Sequence, residues 1–208
     1  MLDAVRIPPS ELFAVLIAVS FAAGLNVYAT VATLGLLAHT GLFPLPPALQ
    51  VISNGYVIGG CGILFLVEFF ADKIPVFDLL WNALQTFVRI PVAALLAYGA
   101  TARLSPGWQL FATLLGSGIA LAAHGGKTAV RAAVTPSPEP FSNVALSLGE
   151  DALAVFLTWL ATRHPYGAAT TALALVLVVV LLLRWVAGAV RDMLRTAQKE
   201  FALLVGGV

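Results

Sequence analysis

The sequence predicts an all-α membrane protein: six transmembrane helices arranged as two inverted three-helix repeats, with broken or re-entrant helices and a C-terminal amphipathic helix. Three observations predict it. Of 208 residues, 60% are hydrophobic and only 10% are charged, whereas a soluble domain uses about 25% charged residues to cover its surface. Apolar runs of about 20 residues, the length that crosses hydrocarbon, recur along the chain. The two halves also resemble each other at matching interruptions. The chain reads as one membrane domain, with repeat one over about 11–102, repeat two over about 106–187 and a tail over 188–208.

The first span is expected from Leu12 to Leu37 and the second from Ile52 to Phe70. The third runs from Leu79 to Ala100 and is interrupted at Arg89 and Pro91. The fourth covers Trp108 to Val130, the fifth Asn143 to Ala161, and the sixth Tyr166 to Val186. Pro44-Leu45-Pro46-Pro47, Lys73-Ile74-Pro75, Ser105-Pro106-Gly107, Thr135 to Pro140 and His164-Pro165 separate them. The first run resumes after Asn26 and lacks a basic leader, so it reads as a retained helix rather than a signal peptide. With a cytoplasmic N-terminus and Arg89 set aside, eight Lys and Arg residues fall inside and two outside. This bias supports six spans with both ends cytoplasmic. In the tail, Val190, Met193, Leu194, Ala197 and Phe201 recur at helical spacing beside Arg191, Arg195 and Lys199. That pattern suits an amphipathic helix on the membrane surface, or a solvated extension of the sixth helix.

The repeat rests on ungapped matches. "FAAGLNVYATVATL" aligns with "LAAHGGKTAVRAAV", and "VEFFADKIP" with "LTWLATRHP". Three spans per half would make the halves face opposite ways across the bilayer. Gly24 and Asn26 are expected to break the first helix, Gly125 and Gly126 the fourth, and Pro91 the third. Corresponding breaks in inverted halves point to a binding site near the midplane, although small residues also serve close helix packing.

Charges in lipid cost at least a few kcal/mol, so they pair, face a cavity or reach an interface. Glu68 and Asp72 are one turn apart and can share a face, with Lys73 placed to neutralise part of Asp72. Lys73 and Asp78 sit at a helix end, where snorkelling is equally natural. Arg89 needs a carboxylate or carbonyl partner, and Glu68 and Glu150 are the candidates. His124, Lys127 and Arg131 follow one another on one helical face. The prolines of "TPSPEPFSN" present Glu139, and Asn143 is suited to start the fifth helix. Glu150 and Asp151 are adjacent acids in an apolar interior, so one stays protonated or gains a basic partner.

Other chemistry is thinly represented. There is no P-loop, HExxH or GxSxG, so no catalytic residue and no cofactor is assigned. Cys61 is the single cysteine, which excludes an intrachain disulfide. The three histidines are too dispersed for a convincing metal site, although the acids could hold a divalent cation. A net charge of +1 leaves no nucleic-acid footprint.

"AGLNVYAT", "FLVEFFADKIPVFDLLWNALQTFVRIP" and "SPEPFSNVALSLGEDAL" resemble a family of bacterial inner-membrane proteins, the domain of unknown function four-one-two-six. The resemblance implies that Glu68, Asp72, Lys73, Pro75, Asp78, Arg89, Pro91, Glu139, Asn143, Glu150 and Asp151 belong to the family pattern. It also implies acids and histidines where Asn82 and Gln85 stand here. It brings no activity with it. The functional expectation is a small transporter or channel whose charged site takes an ion, a proton or a small polar solute. The expected partners are that solute and the lipid bilayer, and the glycine-rich stretches permit a homo-oligomer. The alternatives are a lipid-handling protein, either a flippase or an enzyme or binder acting on a phosphorylated head group, and a structural or accessory membrane subunit.

Overall fold

Proline and asparagine set the helix boundaries in the computed structural model, which describes residues 8–134 and 140–205, some of them by backbone alone. Helices α1 (Pro9–Leu25), α2 (Val27–His39), α3 (Gly55–Ala71), α4 (Pro75–Ala100), α5 (Pro106–Val134), α6 (Pro140–Arg163) and α7 (Pro165–Val205) follow in order. A 3-10 helix over Pro47–Ser53 precedes α3. Five of these α-helices open on a proline, whose missing N–H has no intrahelical partner at that position anyway. The other two, α2 and α3, open after Asn26 and Asn54, whose side-chain oxygens accept from Ala29 N–H at 2.9 Å and Tyr56 N–H at 2.8 Å. No strand occurs among the described residues.

Small residues bring the helices together. Ala18, Ala22, Ala93, Ala120, Ala123 and Ala154 are fully buried, which lets backbones approach closely, as membrane helices do. Helix α1 is central and packs against α4, α5, α6 and α7. The surface is inverted relative to a water-soluble protein. Phe87, Trp108, Leu177 and Met193 are exposed, while Glu68, Asp72, Arg89 and Arg131 are 0% exposed. Lipid as the outer solvent accounts for both halves of that inversion.

The spans differ in part from expectation. Among the described residues, three segments are long and apolar enough to cross a membrane: Leu80–Ala100, Val144–Arg163 and Pro165–Thr196. A fourth is available if Pro47–Ser53 and Gly55–Ala71, bent by 63°, make one broken span. The expected first span is split at Asn26 into two shorter apolar helices, α1 and α2. Helix α5 is long enough but not among the apolar spans.

The expected breaks are corrected as well. Only Asn26 is a break, with extended backbone at φ −149° and ψ 104°. Gly24 lies inside α1, and α5 runs unbroken through Gly125 and Gly126. Gly24 and Gly126 act by close approach instead. A Cβ on Gly24 would lie 2.5 Å from the Ala120 carbonyl oxygen of α5, and one on Gly126 would lie 2.7 Å from Val179 of α7. Helix α4 continues through Pro91. The carbonyl that loses its intrahelical donor there belongs to Phe87, and the helix carries on past it. The tail is not a separate helix: α7 runs on to Val205, with no proline to stop it. In the aligned halves, Pro75 opens α4 and Pro165 opens α7, but the break at Asn26 has no counterpart in α5.

Candidate functional site: a buried charge network

Helix α5 supplies the spine of the site. His124, Lys127 and Arg131 are three and four residues apart, so they stand on one face. That face turns inward, and all three are almost wholly buried. Lys127 Nζ donates to Asp72 Oδ2 at 2.9 Å and lies 3.6 Å from Glu68 Oε1 and 3.3 Å from Glu150 Oε2. Arg131 Nη2 bridges two helices, donating to Asp72 Oδ2 at 3.1 Å and Glu150 Oε2 at 2.6 Å.

Arg89 of α4 closes the other end. Its Nη2 donates to Glu68 Oε1 in a close ion pair. Its Nη1 donates to His124 Nδ1 at 2.9 Å. Arginine has only donors, so Nδ1 must be a lone pair and the proton sits on Nε2. Nε2–H then donates to Thr86 Oγ at 2.8 Å, and that hydroxyl donates to the Asn82 carbonyl at 3.3 Å. The chain of donors holds His124 as a neutral imidazole.

The break at Asn26 feeds the same network. Its side chain takes the Ala29 N–H, which would otherwise bond to the Leu25 carbonyl. Leu25 O instead accepts from Lys127 Nζ at 3.4 Å, and Gly24 O accepts from Arg89 Nη1 at 3.4 Å. The last carbonyls of α1, the negative end of its dipole, thus meet two cations. The end of α3 does the same, with Asp72 O accepting from Arg131 Nη1 at 3.0 Å. Asn26 Nδ2 also donates to Asp151 Oδ1 at 2.8 Å. The two adjacent acids of α6 therefore part company, because neighbours on a helix point about 100° apart. Glu150 joins α5, and Asp151 joins the α1–α2 junction.

Of the residues the sequence singled out, Glu68, Asp72, Arg89, His124, Lys127, Arg131, Glu150, Asp151 and Asn26 are brought together. Arg89 takes Glu68 rather than Glu150 as its carboxylate. Lys73 forms no ion pair with Asp72 among the described residues; its Nζ donates to the Phe69 carbonyl and sits over the Phe69 ring, each at 2.8 Å. Glu139 lies outside the described residues, as do the side chains of Asp78 and Asn143. Thr86 was missed, although it lies one turn before Arg89 on the same face. So was the Gln85–Tyr28 contact, a 3.2 Å hydrogen bond beside the network. No group of His, Cys, Asp and Glu that could hold a metal occurs among the described residues.

A family model described as "Domain of unknown function (DUF4126)" matches residues 13–185. The chain belongs to that family. No curated protein matched the chain, and neither did any solved structure. For this DUF4126 member the network itself is the functional lead. Among the described residues, the carboxylates of Glu68, Asp72 and Glu150 pair with Arg89, Lys127 and Arg131, His124 is neutral, and Asp151 stands beside them on Asn26. Glu68 Oε2, Asp72 Oδ1 and Asp151 Oδ2 are buried and accept no hydrogen bond from the described residues.

Proposed function

We propose that this protein is a small transporter of the bacterial inner membrane, with both termini cytoplasmic, whose buried charge network carries one exchangeable proton. The observation that carries the reading is Asp151, buried beside the ion-paired groups, with a carboxylate oxygen that accepts no hydrogen bond from the described residues. One proton, or one monovalent cation in its place, satisfies that oxygen. Asp151 is the acid outside the ion pairs, so it is the natural carrier. The site stands where α1 breaks, which is where membrane transporters expose backbone carbonyls to charge. Six crossings in two inverted triplets remain the topology this reading uses, with α1–α2 and the bent 3-10 helix plus α3 as broken crossings. Proteoliposomes test it: a potassium diffusion potential should drive proton uptake by the wild type, and Asp151→Asn should abolish it. Sealed wild-type vesicles would defeat the proposal.

A second reading is a structural or accessory membrane subunit whose charges fix helix register. The sealing of the paired groups, with Glu68, Asp72, Arg89 and Arg131 fully buried, favours it. It predicts no flux, but marked destabilisation when one member of a pair is removed. Holding a lipid phosphate has less support, because Arg89, Lys127 and Arg131 are already engaged by carboxylates.

A further inference from the structure

An open groove of about 580 Å³ lies between α3 and α6, which are not among the well-packed helix pairs. Phe65 and Phe69 form one wall, and Val155, Phe156 and Trp159 the other. Phe156 is 49% exposed and Trp159 42%. Asp151 is the one charged residue among the described lining. It is 94% buried, and its Oδ2 has no hydrogen-bond partner among the described residues.

We infer that this groove binds a hydrophobic organic monocation, with the positive centre at Asp151 and the apolar body between the aromatic walls. The chemistry narrows the occupant. One carboxylate matches one positive charge. Aromatic faces attract cations and cover apolar rings. The volume suits a ligand of several rings. A phospholipid would bring a phosphate to a groove whose one charged lining residue among those described is an acid, and Lys73, beside the Phe69 wall, is already engaged by the Phe69 carbonyl and ring. A small hydrated cation would leave the aromatic walls bare. The walls face outward, so the ligand reaches Asp151 sideways from the hydrocarbon, and its charge takes the place of the exchangeable proton. The inference deepens the transporter reading by naming a substrate class, and it rests on that reading only for transport.

Equilibrium dialysis of the full chain in nanodiscs against tetraphenylphosphonium tests it, with empty nanodiscs as the blank. Saturable binding of one cation per chain is expected, weakened roughly tenfold or more by Asp151→Asn. Asparagine at 151 keeps an oxygen for Asn26. Phe156→Ala, at a half-exposed wall position, should weaken binding with little change in melting temperature. The anion tetraphenylborate should not saturate. Wild-type protein that binds no cation, binding indifferent to both variants, or equal binding of tetraphenylborate would overturn the inference. Binding without proton flux would keep this site and remove the transport reading, whereas flux without binding would do the reverse.

Discussion

Arg89 and Glu68 show how much depends on single side chains. Each is fully buried and each holds the other. Removing one leaves an uncompensated charge in a low-dielectric interior, which costs about 3–5 kcal/mol. Glu68→Gln or Arg89→Gln should therefore lower the melting temperature sharply in detergent, and the double variant should lose less than the sum, by the logic of a double-mutant cycle. Lys73 is the contrasting case. Its nearest groups are a carbonyl and a ring on its own helix, so Lys73→Ala should cost no more than about 1 kcal/mol. At this scale the sequence was partly legible. It marked the buried ions, because an ion in an apolar run is costly wherever it lands. It did not reveal which ions meet, because partner choice depends on how four helices are rotated about their axes. Lys73 shows the consequence: nearest in sequence to Asp72, it yields that carboxylate to Lys127 and Arg131 from α5.

Among the elements, the asparagine break and the glycines make separate predictions. Asn26 both caps α2 and donates to Asp151. Asn26→Asp keeps the capping oxygen but removes the donor and sets a second carboxylate beside Asp151. It should destabilise the protein more than the about 1 kcal/mol typical of losing a cap, and the loss should shrink in acid as the carboxyls protonate. A thermal melt across pH reads this directly. Gly24→Ala should cost about 1–3 kcal/mol, since its Cβ would strike α5. Gly125→Ala meets nothing within 4 Å and should be neutral or slightly stabilising. The contrast explains why the glycine pattern misled. Glycine in a membrane helix serves a break or a close contact equally well, and only the neighbouring helix decides. Pro91 follows the same rule, since α4 runs on through it.

For the whole molecule, composition announced an all-helical chain with a lipid-facing surface, and the exposed leucines and buried ions follow it. The number of crossings was less legible. Helices α1 and α2 are short, and α5 dilutes its hydropathy with the groups it sends inward. A hydropathy reading cannot separate an amphipathic core helix from a poor span. The six-crossing proposal makes its own prediction. In a Cys61→Ala background, cysteine placed at Lys73 should be shielded from an impermeant thiol reagent in intact cells, and cysteine placed at His164 should be labelled; labelling of both would remove the inverted arrangement. The central claim is that Asp151, buried beside the ion-paired carboxylates, holds one exchangeable proton. Infrared difference spectroscopy of the purified protein tests it most directly. A single protonated-carboxyl carbonyl band at neutral pH, shifted in D₂O, lost in Asp151→Asn and kept in Glu150→Gln, is the predicted result. The absence of any such band in the wild type, with no monovalent cation bound in its place, would contradict the account.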